Sequence, residues 1–409
     1  MDCGSSKNEK VELKEFNKTT THCLLTLTQK PKLKMKKYIL SILFLVALYS
    51  NAHSQGCVAI RTVGGLNTME HAMHNGMHDM MADSTKKMET PKWDLNISGR
   101  YFKSYKHFNG TDEVTQRVAD ETDVRNYSRT MDISLVRQIN NEWSIGINLP
   151  LISNERTSLY EHVSNVKGSP RFATSSQGIG DIRITAYKWL IAPKAGNKGN
   201  LLGGLGLKLP TGNYKVTDVF HNTLTTTRVG PVDQSIQLGD GGLGVSLELN
   251  GFRTINNSWS LYGNAYYLIN PRGNNGVSTA RGGTPTAAAI KYTSDVMSVP
   301  DQYLLRAGTN WTKNAFTLSM GARYECIPAS DLIGDNTGFR RPGNVLAIEP
   351  GANYAYKKYN FYLYAPIALR RERPQSYPDI LRSKDTGVFA RGDAAFADYS
   401  INIGVGYKF

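Results

Sequence analysis

Methionine and histidine side chains, which bind metals through sulfur and imidazole nitrogen, are concentrated near the N-terminus. The set is Met69, His71, Met73, His74, Met77 and His78. On a helix the three histidines would share one face, as would the three methionines. Thioether and imidazole ligands together suit copper, so copper is the only cofactor that the sequence suggests. The alternative is a polar tail that binds no metal, because Gly76 weakens a helix here.

Histidines could also act as the base in a hydrolase. Beyond the N-terminal segment the chain contains only His107, His162 and His221. All three fall in predicted outer loops or at strand ends, and none lies in the His-x-Ser-Asn context typical of outer-membrane phospholipases. A nucleophile, a base and an orienting group are not brought together by any motif, so we do not expect an enzyme.

A third group of polar side chains lies on one side of apolar, alternating runs. Its charged members are Asp132, Asp181, Arg183, Lys208, Glu248, Arg306, Arg323, Glu349, Arg370 and Lys408. If the apolar side faces lipid, these ten side chains line the interior of a barrel. Two interpretations stay open: the charges pair and hold the barrel closed, or they line a polar channel and set its selectivity.

The elements that position these charges are predicted to be strands with a period of two. From Trp143 onward, for example, Ile145, Ile147 and Leu149 alternate with small or polar residues. Twelve such strands are expected at 93–107, 125–139, 142–156, 179–193, 199–212, 235–254, 258–270, 301–312, 315–327, 344–356, 359–372 and 397–409. Five tight turns alternate with six long loops between them. This alternation predicts an all-β fold, a transmembrane antiparallel up-and-down β-barrel of about twelve strands.

The last strand carries a further signal. Tyr399, Ile401, Ile403, Val405, Tyr407 and Phe409 fall on one face. A terminal phenylalanine on such a strand resembles the signal by which outer-membrane assembly machinery selects its clients. We therefore expect that machinery and the lipid bilayer as partners, and the cell outer membrane as the location.

The N-terminal region is predicted to direct export of the protein. Residues 1–34 look like upstream sequence from a misassigned start, and residues 35–54 form a predicted signal peptide of lysines, a short apolar run and Ala52-His53-Ser54. Residues 55–92 are then a Met/His-rich periplasmic segment or lumen plug, followed by the barrel at 93–409. Cys57 and Cys326 are the only cysteines after residue 54, too few for a disulfide scaffold.

Charge argues against a nucleic-acid partner. The chain has a net charge of +14, but nine Lys/Arg and four Asp/Glu lie in residues 1–54. The remaining excess is dispersed, without the basic stripe that nucleic-acid binding requires.

Two glycine-rich stretches resemble a known family. They are Gly178-Ile179-Gly180-Asp181-Ile182 and Gly204-Leu205-Gly206-Leu207-Lys208-Leu209-Pro210-Thr211-Gly212, followed by Gln237-Leu238-Gly239-Asp240-Gly241. The chain resembles the outer-membrane β-barrel family named for the meta-pathway of phenol degradation. The resemblance implies a passive channel or transporter for small solutes, hydrophobic or aromatic ones in particular. A closed structural or metal-handling barrel that uses the Met/His segment is the alternative.

Overall fold

The computed structural model describes residues 93–192 and 197–409. The predicted upstream sequence, signal peptide and 55–92 segment lie outside these residues, together with the six candidate copper ligands and Cys57. Predictions about them therefore remain predictions.

Twelve antiparallel strands, β1 to β12, pair in chain order, and β12 pairs with β1 to close the sheet into a barrel. Their bounds are Trp93–Asn109 (β1), Arg125–Gln138 (β2), Trp143–Thr157 (β3), Ala173–Ile179 with Arg183–Trp189 (β4), Gly199–Lys208 (β5), Gly244–Thr254 (β6), Trp259–Ile269 (β7), Gln302–Lys313 (β8), Phe316–Ile327 (β9), Gly343–Tyr356 (β10), Tyr359–Tyr364 with Ile367–Glu372 (β11) and Ala394–Lys408 (β12). The predicted fold class is confirmed. The start of β1 meets the end of β12 at the short-turn side, where the backbone groups of Trp93 and Phe409 exchange two hydrogen bonds of 3.0 Å.

Two predicted strands have the wrong bounds. β6 begins at Gly244 rather than near 235, because Asp233 accepts a hydrogen bond from Ser235 N (3.0 Å) and caps a 3₁₀ helix at Gln234–Ile236. β4 begins earlier than predicted and bends at 180–182. A Cβ at Gly180 would lie 2.6 Å from Ile152 Cδ1, so a side chain there would have to displace Ile152.

The long loops carry their own small elements. Loop 3 (209–243) contains the hairpin Thr217–His221 and Thr227–Pro231, and loop 4 (270–301) contains the pair Asn274–Ser278 and Val296–Ser298. Short helices are α1 (Gln116–Ala119), α2 (Ala287–Lys291) and α3 (Tyr377–Thr386), and the strand Asp112–Glu113 lies in loop 1 (110–124). Loop 2 spans 158–172 and loop 5 spans 328–342. Within the described ranges, no helix is long and apolar enough to span a membrane.

The wall of the barrel is apolar outside and polar inside. Outward positions such as Ile147, Leu205 and Ile403 are roughly half exposed, whereas the inward positions beside them bury polar groups such as Asn148. Such a surface is stable only in lipid, where a closed barrel satisfies every backbone amide.

Candidate functional site

Seven of the ten predicted inward charges are buried inside the barrel. They are Asp132, Arg183, Lys208, Glu248, Arg306, Arg323 and Glu349. Asp181 is half-buried in the β4 bend, and Lys408 is half-buried at the short-turn end of β12. The interior is therefore rich in charge, as the strand pattern indicates.

Arg370 is not among the inward side chains, contrary to the prediction. Its side chain is 61% exposed and contacts Glu372 at 3.1 Å. The cause is a bulge: Leu346 pairs with Arg370 while Ala347 pairs with Ala368, so Leu369 is an extra residue on β11. One extra residue reverses which face each later side chain takes.

Arginine and glutamate side chains form a ladder across the interior. Arg306 Nε donates to Glu349 at 2.7 Å, and Arg323 Nη1 donates to the other oxygen of Glu349 at 3.1 Å. Arg323 also binds Glu325, and Arg100 Nη2 donates to Glu325 at 3.3 Å. Because Arg100 is on β1 and Glu325 on β9, the ladder crosses the lumen.

Sequence reasoning missed Arg100 and Glu325. Residues two apart on a strand point to the same face. Arg100 follows Ser98 by two residues and Glu325 follows Arg323 by two, so the alternation alone could have placed both side chains inside the barrel. The contact between Arg100 and Glu325 could not have been predicted in this way, because 225 residues separate them along the chain.

A second polar cluster faces the lumen from the opposite wall. Arg183 on β4 interacts electrostatically with Asp132 on β2 and Glu248 on β6, and its guanidinium lies 5.2 Å from the Tyr266 ring centroid. All three charged groups are at most 5% exposed. Within the described chain, Arg183 Nε and Nη2, Asp132 Oδ1 and Glu248 Oε2 make no hydrogen bond. The cluster thus presents donors and acceptors together to the interior.

The glycine-rich stretches meet at one point above this cluster. Asp181 accepts hydrogen bonds from Gly212 N (2.9 Å) and Asp240 N (3.2 Å), and Lys208 binds Asp240 while lying 3.8 Å from Asp181. Thr211 Oγ1 adds a bond to the bend at Gly180. The inward fold of loop 3 is therefore anchored to β4 and β5 by these side chains.

Arg156, near the outer end of β3, joins the loops over the mouth of the barrel. It is 1% exposed, binds both oxygens of Glu161 in loop 2 at 3.2 and 3.0 Å, and lies 3.6 Å from Asp233 in loop 3. Arg341 in loop 5 binds the same Asp233 at 2.7 Å. Burial opposes ionisation of Asp233, but Arg156 and Arg341 outweigh it and hold its pKa well below the usual range.

A cavity of about 300 Å³ lies beside these arginines at the outer end of the barrel. His107, Arg117, Arg156, Tyr160 and Arg341 line it with Asp393. Burial disfavours the charged form of Asp393, yet His107 at 3.2 Å and Arg117 at 2.9 Å bring its pKa down to about 2. The cavity is polar and cationic side chains dominate its lining.

The three histidines of the described chain support loop structure. His107 Nε2 accepts a hydrogen bond from Val124 N (2.9 Å), and His162 Nδ1 accepts one from His221 N (3.1 Å). His221 stacks on Phe172, with ring centroids 3.7 Å apart. Among the described residues no group of three or more His, Cys, Asp or Glu is arranged to hold a metal ion.

Comparison with known proteins identifies the fold. No family model matches the chain, and no curated protein matches it in sequence. An outer-membrane channel from Pseudomonas putida F1 superposes with a TM-score of 0.53 at 13% identity, covering 80% of this chain and 98% of that one. The translocator domain of the autotransporter NalP from Neisseria meningitidis gives 0.42 at 14% identity (86% and 100% covered), and the Ralstonia pickettii toluene transporter TbuX gives 0.39 at 10% (81% and 93%).

The similarity in fold to the Pseudomonas putida channel agrees with the apolar outer wall and the closed sheet of this chain. The chain is thus a twelve-strand β-barrel of the outer membrane. Membership of the phenol meta-pathway family stays a prediction, because no family model matches.

Proposed function

We propose that this protein is a passive outer-membrane channel for small aromatic solutes that carry a hydroxyl group. The observation that supports this proposal best is the Arg183 cluster, where buried donors and acceptors without partners face the lumen beside an aromatic ring. Buried polar groups in proteins are normally hydrogen-bonded. A hydroxyl group both donates and accepts, so it can satisfy Glu248 Oε2 and Arg183 Nε at once.

The aromatic part of the solute matches the other side chains of the interior. Tyr262 and Tyr364 flank the Arg306 guanidinium at 5.8 and 5.4 Å, and Tyr266 flanks Arg183. Arginine and tyrosine side chains offer flat surfaces on which a small ring can stack. A purely aliphatic solute would desolvate these charges without compensation.

Entry from outside would use the 300 Å³ cavity. Its volume is at the lower end of small-molecule sites, which restricts passage to small solutes. Because the cavity lies beside Arg156 and Arg341, the loop contacts that these arginines make would control its width.

Current blockade in planar bilayers tests this function without interference from solute that crosses the lipid. We expect phenol to block the ion current at about tenfold lower concentration than toluene, since one hydrogen bond to a charged group is worth roughly 1.5 kcal/mol. Cyclohexanol, which has the hydroxyl but no aromatic ring, should fall between them.

Arg183→Met should abolish the preference for phenol, and Lys291→Met, which changes an exposed loop lysine, should leave it intact. Equal blockade by phenol and toluene in the unchanged protein would refute the proposed solute class. Absence of any current would refute the channel itself.

A closed structural barrel is the second candidate, favoured by the Arg100–Glu325 contact across the lumen. A protein of this kind would give heat-dependent gel migration but neither current nor solute uptake.

Copper handling by Met69, His71, Met73, His74, Met77 and His78 is a separate proposal, supported by the ligand types alone. Calorimetric titration with Cu(I) and Cu(II) should show binding that disappears when residues 69–78 are deleted. Equal heats for both proteins would refute it.

A further inference from the structure

One sector of the outer wall carries cations that the channel function does not use. We infer that Lys103 on β1 and Arg129 on β2 form a binding site for a phosphorylated lipid headgroup of the outer leaflet, namely the diphosphorylated glucosamine lipid that anchors lipopolysaccharide. The site faces the membrane and does not depend on what passes through the lumen.

Both side chains point away from the lumen. Phe102 and Ser104, the neighbours of Lys103, are buried on the inner side, and Arg129 is exposed opposite buried Thr130. Lys103 pairs in register with Tyr127, and Tyr101 pairs with Arg129. The two cations are therefore diagonal neighbours on adjacent strands, roughly 7–8 Å apart at their backbones.

Tyrosine rings hold the two cations in place. Lys103 Nζ lies 4.7 Å from the Tyr105 ring centroid and 5.5 Å from that of Tyr127, while the Arg129 guanidinium lies 5.8 Å from that of Tyr101. Both charged groups can still reach a common anion, because each contacts a ring face and not a carboxylate.

The depth of the site agrees with the headgroup layer. Trp93 lies at the periplasmic end of β1 and Tyr101 eight residues further on. Eight residues of a strand tilted by about 40° rise roughly 20 Å, close to the apolar height of such barrels. Tyr267 on β7 stands eight residues beyond Trp259 in the same way. Lys103 is therefore at or just above the outer aromatic belt.

The two cations lack an acidic partner, whereas their cationic neighbours have one. Lys106 and Arg371 bind Asp398 at 3.2 and 2.6 Å. No ion pair of the described residues includes Lys103 or Arg129. Glu155 on β3 pairs in register with Tyr127 and is a diagonal neighbour of Arg129, but no ion pair of the described residues joins the two.

On β7 to β9 the outward side chains at this depth are the uncharged tyrosines Tyr267, Tyr303 and Tyr324. Lys103 and Arg129 are thus adjacent outward cations on β1 and β2, whereas the outward Arg370 on β11 binds Glu372. The anions present at this depth in an outer membrane are lipid phosphates, and a lysine and an arginine 7–8 Å apart complement a phosphate group.

Native mass spectrometry of the detergent-solubilised mature protein tests the site with the purified diphosphorylated lipid and its dephosphorylated form. The double variant Lys103→Gln, Arg129→Gln should bind the diphosphorylated lipid about 30-fold more weakly, given the usual contribution of each cation near a charged membrane surface. The dephosphorylated lipid should bind weakly to both proteins.

The control is Arg137→Gln with Lys188→Gln, which removes matched cations over Trp93 (4.9 Å) and Trp143 (5.0 Å) at the periplasmic end. This control should keep full lipid affinity, and heat-dependent gel migration should show that both variants fold. Equal loss in the control, equal binding of the dephosphorylated lipid, or displacement of the lipid by millimolar inorganic phosphate would each overturn the proposal.

Discussion

Arg156 is the residue on which the outer loops depend most. Its guanidinium is buried against Glu161 and Asp233, which belong to different loops. Removing one partner of a buried ion pair leaves the others uncompensated and costs about 3–5 kcal/mol.

We therefore predict that Arg156→Met opens loops 2 and 3, which limited proteolysis of the folded barrel would reveal as faster cleavage there. Lys291→Met provides the comparison. It breaks an ion pair with Asp385 whose side chains are 58% and 41% exposed, and solvent screening leaves such pairs with little effect on stability. Equal cleavage of both variants would show that Arg156 does not hold the loops.

His162 should make the loop 3 hairpin sensitive to pH. Burial lowers the pKa of His162; Glu161 opposes this effect, while His221, Arg228 and Arg281 add to it. The folded loop therefore favours neutral imidazole, whose Nδ1 accepts the bond from His221 N. The stabilisation is present above the ordinary pKa of 6.5 and is lost as pH falls below it.

Hydrogen exchange at the His221 amide should accordingly speed up about fivefold between pH 7.5 and 5.5, after correction for the intrinsic rate. His162→Phe, which keeps an aromatic ring, should exchange at the faster rate at both pH values. A pH-dependent rate in that variant would assign the effect to another group.

Among the elements, β5 shows how glycine allows the interior to pack. A side chain at Gly204 would place its Cβ 2.9 Å from the ring of Tyr187, which is 2% exposed. Gly263 on β7 faces outward, and a Cβ there would meet its nearest neighbour only at 3.8 Å.

We expect Gly204→Ala to destabilise the barrel by about 1–3 kcal/mol through overpacking, seen as a lower midpoint in urea-dependent gel migration. Gly263→Ala should leave that midpoint within error of the unchanged protein. If both variants shift equally, crowding by Tyr187 is not the cause.

The elements also show what the sequence could predict. Strand positions followed from a local pattern of period two, so ten strands lie close to their predicted bounds. The start of β6 could not be predicted from this pattern, because the helix cap at Asp233 interrupts it. The outward direction of the Arg370 side chain could not be predicted either, because Leu369 is an extra residue in β11. A single bulge is invisible to a two-residue period.

At the scale of the molecule, the inward placement of charge was predictable and the pairing of those charges was not. Arg306 and Glu349 were expected inside, and the alternation of inward and outward residues would have added Arg100 and Glu325. Which of them meet depends on the number and stagger of the strands. The polar atoms of Arg183, Asp132 and Glu248 that make no hydrogen bond could not be predicted either, because these residues lie on three strands that are distant in sequence.

The central claim is that the closed barrel conducts small solutes through a lumen narrowed by the Arg100–Glu325 contact. Single-channel recording of the mature protein tests it most directly, beside the double variant Arg100→Ser, Glu325→Ser. The double variant removes one charge of each sign, and Arg323, which loses its contact with Glu325, keeps its bond to Glu349. We predict discrete current steps for the unchanged protein and larger steps for the double variant. Heat-modifiable, folded protein that passes no current in either form would contradict the claim.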